Sequence, residues 1–330
     1  MTRPASAPQP AVSVVICAYT MARWDFTLKA IESIRRQSLP VHELVVVVDH
    51  NAELLARFKA NDPTLTVIGN AQAKGLSGGR NTGIQATTGE FVAFLDDDAE
   101  AEPTWLEAML RHFERPEVIG VGSRVDPDWV GAPRAWFPAE FLWVMGCSYR
   151  GLPEQAAPIR NVSGGAMVLR RLVFERAGEF SLRLGRTESK LPLGGEETEL
   201  CMRAQERIPG SIFIYEPGVA ILHHVSTQRM TWSYLGLRCY AEGLSKATLS
   251  SLGQKGQDSL ASERRHTLVV LPRGVLRGLA DALLRQDLGG LGRAVAIVYG
   301  FGSAALGYLA GRIGIGRPGK LAPAHDLGVR

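Results

Sequence analysis

The sequence predicts an α/β fold: a mixed, mainly parallel sheet flanked by helices, followed by a helical C-terminal extension. Three observations predict it. Apolar runs of strand length at residues 12–17, 43–48 and 91–95 alternate with segments of helical spacing. Such alternation argues for parallel strands joined by right-handed crossovers. The chain has 330 residues, 45% hydrophobic and 21% charged, enough for one large domain with an appendage. Beyond about residue 250 the pattern changes to leucine stripes and an uncharged, glycine-containing run.

Taken in order, residues 1–10 are rich in Pro and Ala and lack an apolar core, so they read as a disordered leader rather than a signal peptide. Residues 12–17 form the first strand, with Ala18-Tyr19-Thr20 as the loop after it. Leu28, Ile31 and Ile34 give a helix over 24–37, ended by Leu39-Pro40. A second strand at 43–48 runs into Asp49, a short helix covers 52–59, and a third strand lies near 65–68. Gly75, Gly78, Gly79 and Gly83 open a helix that carries Arg80 and Asn81. That helix start suits an anion, or its glycines permit tight packing on the sheet. It is neither a P-loop nor a GxGxxG turn. The strand at 91–95 ends in Asp96-Asp97-Asp98. Next, 103–114 reads as a helix and 118–125 as a strand. Residues 126–153 are irregular and aromatic, with Trp129 and Trp136 among them. The turn containing Gly164 and Gly165 leads into a strand and a short helix at 170–177. Residues 181–195 are a polar loop that suits mobility. Glu196, Glu197 and Glu199 fall in the first turn of the following helix. Two short strands, 212–215 and 219–222, lead to His223-His224, and a further helix carries Trp232, Tyr240 and Lys246.

Composition excludes some classes. The net charge is only +4 and no Lys/Arg-rich block occurs, so no nucleic-acid partner is implied. The four cysteines form no CxxC pair, which argues against a zinc site. Reduced thiols fit a cytoplasmic location. Residues 294–311 carry no charge, and Gly307 to Gly311 has GxxxG spacing. With Arg273, Arg277 and Arg285 before it, this region is expected to touch or span a membrane at its cytoplasmic face. A soluble helical hairpin is the competing reading.

Chemistry concentrates at two places. Three consecutive carboxylates at a strand end repel one another and resist burial, and hard oxygen ligands suit Mn²⁺ or Mg²⁺. Carboxyl ends of strands are where open α/β sheets bind ligands. The competing reading is a solvated turn capping the next helix at Glu102-Pro103. A glutamate at a helix start complements the helix dipole, but two acids after Gly194-Gly195 exceed that need, and one suits a general base.

Four motifs in order now resemble the family 2 glycosyltransferases of GT-A fold. They are residues 12–19, Val46-Val47-Val48-Asp49, Gly75 to Gly83 followed by Phe94-Leu95-Asp96-Asp97-Asp98, and Gly195-Glu196-Glu197-Thr198-Glu199-Leu200. The resemblance covers 11 to about 245, with an actinobacterial flavour in 223–246. It implies an inverting, metal-dependent transferase acting from a nucleoside-diphosphate sugar. Residues 11–125 would form the donor half, 126–245 the acceptor half and 246–330 the helical extension. The resemblance places Ala18, Tyr19, Asp49, Arg80, Asn81, Asp96 and Asp97 at the nucleotide sugar. Asp98, with Asp96 and His223, would hold Mn²⁺ or Mg²⁺. It makes Glu197 the base, with Glu196 the alternative, because the family usually has Glu-Asp where this chain has Glu-Glu. Trp129, Trp136, Gly164 and Gly165 are expected on the acceptor side, facing a glycan, lipid-linked or small-molecule acceptor. Two other classes stay open: a nucleotidyltransferase, which needs a basic triphosphate cradle that Ala18-Tyr19-Thr20 does not offer, and a non-catalytic sugar-nucleotide-binding or membrane scaffold. The donor sugar, the linkage and the oligomeric state have no signature in these motifs.

Overall fold

A computed structural model describes residues 10–185, 191–251 and 264–314. The expected leader lies outside them except for Pro10, as do residues 186–190 of the loop at 181–195. In chain order the elements are β1 (Val12–Ala18), α1 (Trp24–Arg35), β2 (Glu43–Val48), α2 (Ala52–Asn61), β3 (Thr66–Gly69), α3 (Leu76–Gln85), β4 (Phe91–Asp96), β5 (Ala99–Ala101), α4 (Trp105–Leu110), β6 (Val118–Trp129), β7 (Ala157–Ile159), β8 (Ala166–Arg170), α5 (Arg171–Ala177), α6 (Glu196–Arg207), β9 (Ile212–Val225) and α7 (Trp232–Ser251). Two further helices, α8 (Leu271–Leu284) and α9 (Leu288–Arg312), complete the described chain.

All nine strands share one mixed sheet, ordered β3-β2-β1-β4-β8-β6-β9-β5, with β7 also on β9. The N-terminal strands β3, β2, β1 and β4 are parallel, as their alternation with helices requires. Beyond β4 the pairing turns antiparallel through β8, and only β6 and β9 run parallel again. Side chains alternate across the sheet. Val12, Val14 and Ile16 pack under α1, α2 and α4 in one core layer, where Ile31, Ile34, Phe58 and Trp105 are buried. On the other face Val15, Val45, Val47 and Phe94 meet α3, α5 and α6 through Ile84, Phe174, Leu200 and Ala204.

Three elements differ from expectation, and each difference shapes the site. The two short strands expected at 212–215 and 219–222 are one strand. Pairing with β6 jumps from Ser123–Glu216 to Arg124–Ala220, so residues 217–219 bulge out at Pro217-Gly218 without ending the ladder. The residues after Asp98 form strand β5 before the helix begins; Ala99 pairs with His223 and Ala101 with Ile221. Helix α7 runs unbroken from Trp232 to Ser251, so the boundary expected at 245 falls inside it. A third core cluster joins Phe141 and Val144 to Leu235 and Cys239 of α7, Leu271 of α8 and Ile297 of α9.

Candidate active site

The site lies at the carboxyl ends of β1, β2 and β4, closed on the far side by β9, α6 and α7. Asp96 ends β4, and the chain then reverses into β5 against β9. That antiparallel pairing is why His223 stands beside the acids: the His224 amide donates to the Asp98 carbonyl at 2.8 Å. His223 Nε2 lies 3.4 Å from Asp98 Oδ1. One ligand atom each from Asp96, Asp98 and His223 can lie within 4.8 Å of the others. The expected cation set is therefore brought together. Two carboxylates supply hard oxygen donors and the imidazole a borderline nitrogen, a mixed set that fits Mn²⁺ and, through its carboxylates, Mg²⁺.

A residue that sequence reasoning missed controls the charge here. Arg23, just before α1, donates to Asp97 and approaches Asp98 Oδ2 at 2.8 Å. Arg229 adds a longer contact to the same Asp98 oxygen at 3.8 Å. No spacing rule marks Arg23; only its place just past the end of β1 does. Burial lifts the Asp97 carboxyl to about 7 despite Arg23, with Asp98 and Asp96 adding repulsion. Burial also opposes ionisation of Asp98, but His223, Arg23 and Arg229 together hold it well below the usual carboxylate range. The two aspartates thus differ because Asp98 has three cationic or imidazole neighbours. Among the described residues, Asp97 Oδ2 and Glu196 Oε2 are buried without a hydrogen-bond partner. Such orphans are uncommon in folded proteins.

Arg80 lies deeper than expected for a nucleotide ligand. It is 3% exposed, flanked by the rings of Phe94 and Phe180. Its Nη1 meets Glu196 Oε1 at 3.2 Å and its Nη2 meets Asp96 Oδ1 at 3.8 Å. The guanidinium thus links the cation cluster to the glutamate pair. Gly164 and Gly165 make room for both partners: a Cβ at Gly164 would lie 2.7 Å from Arg80 Nη2, and one at Gly165 2.2 Å from Asp96 Oδ2.

Four of the acids on α6 and α7 divide by partner. Glu199 is clamped by Arg203 at 2.7 and 2.9 Å, and Arg203 also binds the carbonyls of Ala177 and Glu179, so this pair is scaffold. Glu196 is held by Arg80. Glu197 is partly buried, and burial first, then the Glu196 charge, push it up to about 8; Glu242 of α7 adds to this and Arg80 opposes it. Glu242 itself sits between Arg238 at 3.6 Å and Lys246 at 3.9 Å. The turn before α6 depends on Gly195, at φ 98°, and on the Gly194 amide donating to Ser245 Oγ at 3.2 Å.

The other expected donor residues scatter in role. Tyr19 is half exposed at the rim, with Arg23 over its ring. Ala18 is buried at the end of β1. Asp49 accepts from Asn70 Nδ2 at 2.6 Å and from the Gly75 amide at 3.0 Å, so it fastens the loop that starts α3. The glycines of α3 serve close packing: a Cβ at Gly83 would lie 2.4 Å from Val15 Cγ1. Asn81 does not reach outward. Its amide exchanges two 2.9 Å hydrogen bonds with the Phe180 backbone, making it a brace. Trp136 is likewise used internally, stacked on Trp232 at 4.2 Å, and Trp129 packs partly against the main core. The aromatic segment therefore helps to seat the C-terminal helices. Cys17 is a core thiol, raised to about 12 by burial.

Comparison with solved structures defines the fold. The chain superposes on the mannosyltransferase PcManGT from Pyrobaculum calidifontis in complex with GDP-Man and Mn²⁺. The TM-score is 0.59 at 17% identity, over 91% of this chain and 87% of that one. It also superposes on GalNAc-T7 with UDP, GalNAc and Mn²⁺, at a TM-score of 0.53 and 16% identity, over 79% of this chain and 55% of that one. The fold is that of the GT-A glycosyltransferases. Residues 13–178 match the family described as glycosyl transferase family 2. The glucosyl-dolichyl phosphate glucuronosyltransferase of Haloferax volcanii is 31% identical over 274 residues, covering 82% of this chain and 87% of that protein. The pre-mycofactocin glycosyltransferase of Mycobacterium tuberculosis is 31% identical over 174 residues, but this chain spans only 34% of it. The chain belongs to glycosyl transferase family 2 and is a glycosyltransferase.

Proposed function

We propose that this glycosyltransferase moves a sugar from a nucleoside diphosphate to a hydroxyl of a lipid-linked or cell-envelope acceptor, with inversion, at the cytoplasmic face of a membrane. The observation that carries the reading is one continuous array. Asp96, Asp98 and His223 converge on one point, and Arg80 ties Asp96 to Glu196, next to the partly buried Glu197. The Haloferax relative is named for a dolichyl phosphate-linked substrate, which supports the lipid-linked acceptor.

In this reading Asp96, Asp98 and His223 hold Mn²⁺ or Mg²⁺. A bound divalent cation supplies charge neutralisation for the departing nucleoside diphosphate. Arg23 and Arg229 add fixed positive charge beside Asp98. Tyr19 and Asp49 lie at the rim for the nucleoside. Glu197 accepts the proton of the acceptor hydroxyl as that oxygen attacks the anomeric carbon from the face opposite the leaving group. One displacement inverts the configuration. A carboxyl near 8 is a stronger base than an ordinary glutamate, and it is half-ionised at about pH 8. Glu196 stays salt-bridged to Arg80 beside Glu197. Residues 11–125 hold the donor, and 126–245, with the rest of α7, frame the acceptor side.

Thermal shift against UDP-, GDP- and dTDP-sugars, with and without Mn²⁺, tests the reading. A ligand at 100 times its Kd stabilises by about 2.7 kcal/mol. One donor class is expected to shift the melting point only with Mn²⁺, and Asp98→Asn to abolish that shift. The anomeric configuration of the product, read by NMR, tests inversion. A metal-independent shift across all donors, or retention of configuration, would overturn the mechanism.

A further inference from the structure

The C-terminal helices leave a large face uncovered. Of the twenty large apolar residues exposed among the described residues, thirteen lie between Leu276 and Ile313. On α9 they recur at Leu288, Leu291, Val295 and Val298, a three-and-four spacing that puts them on one side of the helix. The leucines at 276, 283 and 284 of α8 continue the surface. An exposed apolar surface of this extent marks an interaction site.

The opposite side of α9 is glycine and alanine, and it is in use. A Cβ at Gly307 would lie 2.0 Å from the Tyr240 carbonyl, and one at Gly243 would lie 2.1 Å from the Ala304 carbonyl. The backbones of α7 and α9 therefore touch. Helix α7 in turn belongs to the catalytic domain. Its Ser245 accepts from the Gly194 amide, its Arg238 donates to the Pro192 carbonyl, and its Cys239 is buried among Phe141 and Val144. A second tie runs from α8: Arg277 meets the buried Glu140 at 2.8 Å.

We infer that α8 and α9 form an in-plane membrane dock, with α9 lying along the surface of an anionic bilayer and not crossing it. At 25 residues, about 37 Å, α9 is long enough to cross. Crossing would carry Arg238, Glu242 and Lys246 of α7 into hydrocarbon or strip α9 from its glycine seam. Lying flat requires neither. The outer leucines enter the acyl boundary while the inner face stays on α7. Exposed Arg273 sits on the same helix as the leucines of α8, and Arg285, paired with Asp281 at 3.1 Å, caps its end; Arg273 brings positive charge that matches anionic headgroups. The dock deepens the lipid-linked reading and rests on it for one point only: α7, which carries the dock, also carries Glu242 beside Glu197, so a membrane-bound acceptor arrives at the base.

Flotation of the full chain with phosphatidylglycerol-containing and pure phosphatidylcholine vesicles tests this. Binding to the anionic vesicles, release by alkaline carbonate, and a drop of about tenfold or more in the bound fraction for the pair Leu284→Glu and Leu309→Glu are expected. The same variant should keep its metal-dependent donor shift, which shows that it is folded and separates failure of the dock from failure of the proposed chemistry. Absence of wild-type flotation, resistance to carbonate, or a wild-type dimer that the variant dissolves would each overturn the inference. The second of these means a crossing helix, and the third means that a second copy covers the face.

Discussion

Glu197 sets the sharpest prediction. If it is the base, turnover at saturating donor, acceptor and metal must follow its ionised fraction. With a carboxyl at about 8, roughly one tenth is ionised at pH 7 and one hundredth at pH 6. The turnover number should therefore rise about tenfold per unit up to pH 8 and level off by about pH 9. Glu197→Gln should lose about 10²–10⁴-fold and flatten the limb. Glu242→Gln removes a like charge that lifts Glu197, so it should move the limb to lower pH while retaining turnover. Stability gives an independent check of the same group. A carboxyl raised on folding contributes stability below its ordinary value of about 4.5 and loses it as pH rises to about 8. The melting point of Glu197→Gln should therefore exceed that of the wild type above pH 8. A flat wild-type profile between pH 6 and 9, or the same limb in Glu197→Gln, would refute the assignment.

Other substitutions test the remaining parts. Arg23→Gln leaves Asp97 and Asp98 facing each other without their main counter-charge. It should cost about 3–5 kcal/mol by denaturant unfolding, and Mn²⁺ should restore more stability to it than to the wild type. Gly165→Ala would place a methyl 2.2 Å from Asp96 Oδ2, so calorimetry should find Mn²⁺ binding lost while the far-ultraviolet spectrum is unchanged. Arg80→Met should uncouple the two halves of the site. Asp96 and Glu196 both lose their shared cation, and donor affinity and the pH profile of transfer should change together. Asn81→Ala should act as a stability mutant, lowering the melting point without altering the donor's metal requirement.

The elements that carry their own hydrophobic pattern were legible in the sequence. β1, β2 and β4 are buried on both faces and read as continuous apolar runs, and α1 shows its buried stripe directly. The acids at 96–98 and 196–197 were legible because charge at a strand end and after a glycine pair has few structural uses. What was hidden depends on partners far away in the chain. Ala99-Glu100-Ala101 has no strand pattern of its own; it is extended because β9 supplies a ladder. Pro217-Gly218 reads as a break, yet the ladder resumes beyond it, because β6 is long enough to pair on both sides. Arg23 follows no periodicity, and its role exists only once two carboxylates are folded next to it. Trp136 looked like a binding aromatic because composition cannot show that Trp232, almost a hundred residues later, stacks on it.

The pairing of β5 with β9 also bears on how the protein matures. Asp98 and His223 are more than a hundred residues apart in the chain, and they meet only when the last strand has docked. Contacts of such long range close late, because the loop entropy between them must first be overcome. A chain stalled before β9 joins the sheet would hold the aspartates without their imidazole partner. On the proposed cation site, cation affinity would report on completed folding, and a cation that bound only the finished site would draw the population toward it.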